Sequence, residues 1–213
     1  METYRQILGG LPATLLLGLL AFAIGAVVAL PLMLARRARS LALRLPARAA
    51  IDLLRAVPPI VWLFIVFFGL SEVNLDLQPF PAAVIALGVV SGAYLAEIYR
   101  GGFMALDDGQ VEASQALGLR RRDALRFVLA PQALRVALPA IATYAIALLK
   151  DTSLAYTIGV HEVLFRANEQ AQLGTGSPLA ILLFAGALYA VLSIPTAVLA
   201  RRLDTGMRAK VAR

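Results

Sequence analysis

From Leu11 to Ala35 the chain runs 25 residues without a charge. At about 1.5 Å per helical residue that exceeds the roughly 30 Å of a membrane's hydrocarbon layer. Further uncharged runs fall at 56–71, 79–96, 136–149 and 174–200. Two of them are short alone. The run at 56–71 reaches span length by taking in Leu53 and Leu54 with Arg55 snorkelling, and that at 136–149 by continuing to Ile158 with Lys150 and Asp151 inside the membrane. The pattern predicts five transmembrane helices, about 11–35, 53–71, 79–98, 136–158 and 178–200, in one all-α integral membrane domain covering 1–213. A cleaved leader is not expected, because Glu2 balances Arg5 ahead of the first run where a basic region is needed.

Composition agrees. Of 213 residues 60% are hydrophobic and only 15% charged, with a mean hydropathy of +0.79; a soluble domain carries about a quarter of its residues as charges. The chain has no Cys and one His, His161, which excludes thiolate chemistry and leaves too little for a metal cluster or a nucleophile–base relay. A phosphate-binding loop needs Gly-Lys-Ser/Thr, whereas Lys150 precedes Asp151 and Lys210 precedes Val211. No cofactor is expected in this chain and no bond chemistry.

Lys and Arg accumulate on the cytoplasmic side of membrane proteins. Segment 36–55 has six arginines against Asp52, and 201–213 has five basic residues against Asp204. The segments 72–78 and 159–178 are acidic or nearly neutral. Five spans with the N-terminus out and the C-terminus in satisfy every loop. That puts 97–135 on the cytoplasmic side; six arginines and five acids make it nearly balanced, a segment built to fold and dock.

Within it, Asp107 followed by Gln110 reads as a helix-start box, and Gly118 as the left-handed stop of a helix over 110–117. A second helical stretch, 119–129, is basic at Arg120, Arg121, Arg122 and Arg126, and Pro131 is expected to end it. A helix–Gly–helix with arginines resembles a DNA reader. Anchoring at both ends and the acids Asp107, Asp108, Glu112 and Asp123 argue against nucleic acid as a partner. A solvated connector is the plainer alternative, and the length of the loop speaks against it.

Glu112-Ala113-Ser114-x3-Gly118-x9-Val128-x-Ala130-Pro131 resembles the EAA loop of ATP-binding-cassette importer permeases, Glu-Ala-Ala-x3-Gly-x9-Ile-x-Leu-Pro. It agrees at Glu112, Ala113, Gly118 and Pro131 and departs at Ser114, Val128 and Ala130. The stretch from Ala93 through Tyr94, Glu97 and Arg100 to Gly102, then Gly109-Gln110, is similar to the polar amino acid uptake branch, the histidine, glutamate, glutamine and arginine type permeases. So are Thr14-Leu15-x2-Gly18, Arg55-Ala56-Val57-Pro58 and Lys150-Asp151-Thr152-Ser153-Leu154.

The resemblance implies a type I importer permease fold in the bacterial cytoplasmic (inner) membrane. It also implies a second permease subunit, identical or related, two cytoplasmic ATPases that bind ATP and Mg, and an extracytoplasmic solute-binding protein. Residues 101–135 become the coupling loop. Leu117, Leu119 and Ala113 would give its helix apolar contact with an ATPase groove, and Glu112 and the arginines a polar rim.

Charged and polar residues inside spans are functional candidates by default. Lys150, about 21 Å along a helix from Val136, with Asp151, Thr152 and Ser153, reads either as pathway lining for an amino acid's charged ends, as a structural ion pair, or as an exposed interface. Glu97 and Arg100 at i and i+3 read as a helix-end pair or a coupling element. Tyr94 is a pathway or interfacial aromatic, and Arg55 and Pro58 mark the start of the second span, where Pro58-Pro59 fits a first helical turn. Pro195 is a kink site. Two other readings stay on the table: a self-contained secondary transporter or channel, which needs a carboxylate relay that only Asp151 and Glu97 offer, and a membrane scaffold, which leaves the capped loop unexplained.

Overall fold

Apolar segments in lipid have no water for their backbone groups, so each must close its hydrogen bonds within a helix. The computed structural model describes the backbone of residues 2–211 and the side chains of 2–195, 197 and 198. In chain order the helices are α1 (Glu2–Leu8), α2 (Leu11–Arg36), α3 (Leu41–Ala56), α4 (Pro59–Ser71), α5 (Pro79–Met104), α6 (Asp108–Ala116), α7 (Arg121–Asp123), α8 (Ala130–Asp151), α9 (Val163–Gln172) and α10 (Pro178–Val211). A π-helical segment, Ala124–Leu129, joins α7 to α8, and a 3-10 turn, Thr152–Ile158, carries α8 on. Among the described residues four stretches are long and apolar enough to cross a membrane, Glu2–Arg36, Pro79–Met104, Arg121–Ile158 and Pro178–Pro195, and the bent pair Leu41–Ala56 with Pro59–Ser71 makes a fifth if it is taken as one broken span.

The helix expected over 53–71 is a correction. It breaks into α3 and α4, which meet at 102°. Val57 precedes Pro58, and Pro58 precedes Pro59, and a residue before proline is pushed out of the helical region; Val57 and Pro58 accordingly sit at ψ 133° and 140°. Pro59 then opens α4 in its first turn, as the sequence implied. Across the corner, the Trp62 indole N–H donates to the Leu54 carbonyl at 3.2 Å, serving one of the orphaned acceptors at the end of α3.

Helix α5 is the axis of the bundle. Its buried face is rich in small residues, Ala82, Ala83, Ala86, Gly88, Ser91, Gly92, Ala93 and Ala96, set among Val84, Leu87, Val90 and Leu95. Lipid supplies no hydrophobic drive between helices, so close backbone approach and dispersion contact hold them. The tightest approach is to α2, where a Cβ on Gly92 would sit 2.6 Å from Val28 and one on Gly25 would collide with Ser91. Leu17, Ala21, Leu63, Leu87 and Leu148 fill the middle, while Ala29, Met33, Ile51, Leu95 and Ala96 fill the end near α6. At the opposite end α1, α9 and α10 close over Ile7, Val163, Ala167, Ile181 and Ala185.

Pro131 is the second correction. It does not end the basic helical stretch but lies in the first turn of α8, immediately after the π segment. The wider π turn accommodates a residue that lacks an N–H and crowds the preceding turn. The outcome is one helical rod, Arg121–Ile158, running from the loop across the bundle. Pro195 lies inside α10, which continues through it; the basic tail 201–213 falls outside the residues whose side chains are described.

Candidate functional site

The loop between α5 and α8 is pinned at three points. Asp107 caps α6, its Oδ1 accepting from the Gly109 N–H at 2.7 Å. Gln110 does not complete the expected capping box with its side chain. Its Oε1 accepts from the Gln132 amide at 3.0 Å, tying α6 to the start of α8. Ser114, nearly buried, donates its hydroxyl to the Gln110 carbonyl at 2.7 Å.

At the far end Gly118 takes φ +70°, and the Leu119 N–H donates back to the Ser114 carbonyl at 3.1 Å. That 6→1 bond across a left-handed residue is a Schellman-type stop, which a side chain at Gly118 would strain. Glu112 and Ala113 are exposed, Leu119 is 38% exposed and Leu117 78%. Of the residues expected in the coupling loop, all but Pro131 lie on one short helix and its stop; Ser114 faces inward as its anchor, and Pro131 belongs to the rod.

Near the same end of the bundle, Glu97 is held by two arginines. Arg100 donates from Nη2 and Nε to Glu97 Oε2 at 2.7 and 2.9 Å, as the i, i+3 spacing implied. The Nε of Arg36, from the end of α2, forms an ion pair with Oε1 at 2.6 Å. Sequence reasoning missed Arg36 because its partner is 61 positions away. The Arg55 guanidinium lies 5.2 Å over the Tyr94 ring, Tyr94 stacks on Tyr144 at 5.1 Å, and the Tyr144 hydroxyl donates to Ser91 Oγ at 3.0 Å. This chain of contacts runs from α3 through α5 to α8. Pro58 stays outside it, exposed at the α3–α4 corner.

The second polar cluster sits where α8 passes into its 3-10 turn. Lys150 is exposed, Asp151 and Ser153 are half-buried, and Thr152 is buried. The hydroxyls bond inward, Thr152 to the Leu149 carbonyl and Ser153 to the Lys150 carbonyl, each at 2.7 Å. Among the described residues neither Lys150 nor Asp151 has an ion-pair partner within 4.0 Å.

The family described as "Binding-protein-dependent transport system inner membrane component" matches residues 21–209. The chain belongs to this family. Among relatives of this inner-membrane transport component, the L-cystine transport system permease protein TcyB of Bacillus subtilis is 36% identical over 200 residues, 92% of this chain and 86% of its own length. The octopine transport system permease protein OccM of Rhizobium radiobacter is 36% identical over 203 residues, 90% of this chain and 82% of its own. The crystal structure of an amino acid ABC transporter with histidines superposes with a TM-score of 0.86 at 30% identity, covering 94% of each chain. The MetNI methionine ABC transporter in an inward-facing conformation, at 20% identity and TM-score 0.74, shares the fold.

One residue of this transport component escaped the sequence reading. Glu162 is wholly buried at the start of α9, accepting from the backbone N–H groups of Leu164 at 2.9 Å and Phe165 at 2.7 Å and from the Tyr189 hydroxyl of α10. Beside it, Thr14 of α2 accepts from the Val163 N–H at 3.2 Å. Burial pushes the Glu162 carboxyl above its usual range, and the hydrogen bonds it accepts hold it back only in part. Its one sequence signal was position, immediately before Val163-Leu164-Phe165, and Glu is a poor clue to a helix cap.

Proposed function

We propose that this chain is the permease subunit of an ATP-driven importer of polar amino acids. It supplies passage and coupling, while ATP and Mg are bound and ATP hydrolysed by a separate partner ATPase. The observation that carries the reading is α6: a short helix capped at both ends, bonded to the α8 rod through Gln110 and Gln132, and presenting Leu117, Leu119, Ala113 and Glu112 outward. Its apolar residues suit a groove on a neighbour, and Glu112 gives that contact a polar rim.

Because α7, the π segment and α8 form one rod, a push on α6 becomes a tilt of the span that carries Lys150, Asp151, Thr152 and Ser153 at its other end. Those four residues line the substrate path, where an amino acid's carboxylate and ammonium need complementary charges. Arg55, Pro58, Tyr94, Glu97 and Arg100 gate it near the α6 end. The N-terminus lies outside, the loop 101–135 and the C-terminus inside. A second permease subunit completes the path about a two-fold axis, and a solute-binding protein delivers the amino acid from the outer side. The amino acid class follows the relatives, permeases for L-cystine and for octopine among them.

The test is uptake of labelled amino acids into vesicles holding the permease with its ATPase and binding protein. Uptake that requires ATP and both partners is expected; uptake by the permease alone would make it a self-contained carrier. The chain has no native Cys, so single cysteines within 107–118 report sidedness cleanly, and labelling from outside overturns the coupling role.

A further inference from the structure

Between the last turns of α2, the end of α5, α6 and the start of α8 lies a cavity of about 1090 Å³, slightly larger than the roughly 300–1,000 Å³ of small-molecule sites. Leu30 and Leu34 of α2, Phe103 of α5, and Leu129 and Leu134 at the α8 end give it apolar walls. Leu34 is 60% and Leu134 51% exposed, so the cavity opens sideways along the bundle, toward what in a membrane is acyl chain. Its lining includes three arginines, Arg37, Arg39 and Arg121, and no acid. Arg37 lies 4.9 Å over the Phe103 ring, and among the described residues none of the three makes an ion pair. Val111, Gln115 and Leu119 of the loop form another wall.

A slot with a lipid-side opening, greasy walls and uncompensated guanidinium groups fits a molecule with a long apolar body and an anionic head. We propose that it holds one anionic phospholipid, an acyl chain against Leu30, Leu34 and Leu134 and the phosphate among Arg37, Arg39 and Arg121. Guanidinium groups suit phosphate because they present a planar fork of donors. The lipid touches α2 and the α6 loop at once, so it braces the loop against the bundle and makes its stance depend on membrane charge. The proposal leans on the coupling reading only for its leaflet, which is then the cytoplasmic one.

The test is native mass spectrometry of the intact importer, permease with ATPase and binding protein, titrated with phosphatidylglycerol or phosphatidylcholine. One phosphatidylglycerol adduct per permease is expected to outlast any phosphatidylcholine adduct and to survive excess inorganic phosphate. The R37Q/R39Q/R121Q variant should weaken it about tenfold or more, since each basic residue near an anionic headgroup contributes a several-fold factor. Leu34→Trp, which narrows the apolar wall and leaves the arginines, should weaken it. Equal retention of both lipids by the wild type overturns the proposal, as does an adduct unchanged in both variants, or one displaced by inorganic phosphate. A photocrosslinker at Leu34 that joins two permease chains in place of a lipid overturns it too and makes the cavity a subunit interface. The same spectra record whether ATPase and permease assemble, so failure of the coupling reading and failure of lipid binding are seen separately.

Discussion

At one end of the bundle, where α1, α9 and α10 meet, the buried carboxylate is satisfied from within: Glu162 is fully buried and spends its lone pairs on Leu164, Phe165 and Tyr189. At the other end, around α6, the order is reversed. Helix α6 is capped at both ends, yet Leu117 is 78% exposed and Arg37, Arg39 and Arg121 edge an open cavity. The first end has closed on itself, and its polar groups stabilise the fold. The second is rigid but unfinished, which is what a surface made for a partner looks like before the partner arrives. Rigidity without self-sufficiency is the physical mark of a lever.

The largest effects should come from breaking the lever while sparing the fold. Gly118→Val places a branched side chain at φ +70°, a strain of about 1–2 kcal/mol that α6 relieves by losing its stop. Transport should be abolished and ATPase activity should run without substrate, while membrane insertion stays normal. Glu112→Lys, exposed and strain-free, should reproduce the loss of transport without touching α6 itself. Normal uptake by either variant would show that the open end is merely a solvated connector.

Next in size is the closed end. Glu162→Ala removes the acceptor of two backbone N–H groups and the Tyr189 hydroxyl, each costing about 1–3 kcal/mol when left buried and unmet. Thermal unfolding of the purified subunit should record a loss of about 3 kcal/mol or more, with the residual protein still binding its ATPase. A drop in ATPase binding matching that of Glu112→Lys would mean that the two ends are not separable.

A smaller effect at the same site is its pH dependence. Because the folded carboxyl sits above its unfolded value, the folded state holds the extra proton between the two. Stability should therefore be greatest at and below the ordinary Glu range, fall as pH rises toward the raised folded value, and level off above it. Glu162→Gln should remove that slope while costing stability at every pH, since its amide nitrogen cannot accept. An unchanged slope in the Gln variant would assign the titration to another group.

What the sequence disclosed follows the same division. Length and apolarity located the long helices because lipid enforces them one by one, and Asp107 and Gly118 announced α6 because caps are local chemistry. Contacts made across the bundle were silent: Arg36 beside Glu97, Tyr189 beside Glu162, Gln132 beside Gln110. One local rule misled and another was incomplete. Pro131 promised an end, but a π segment absorbed it; Pro58-Pro59 promised a helix start, which Pro59 supplies, without revealing that the preceding helix would meet it at 102°. Proline fixes what cannot continue, not the direction taken next.

The smallest expected change in stability concerns Lys150, which lies between the two ends in character. It is exposed on the single subunit, has no ion-pair partner among the described residues, and precedes hydroxyls that bond to nearby backbone carbonyls. Truncating an exposed, unpaired side chain moves stability by about 0.5 kcal/mol or less, so Lys150→Ala should unfold with the wild type. Uptake should nonetheless fall about tenfold, the share expected of one charged contact to a zwitterion's carboxylate. Lys150→Arg, keeping the charge, should recover part of it. Full activity in the Ala variant would place Lys150 at the membrane surface and leave Asp151 and Thr152 to line the path without it. Loss of both stability and subunit pairing would instead make it a contact to the second permease chain, and the rod's far end would join the unfinished surfaces.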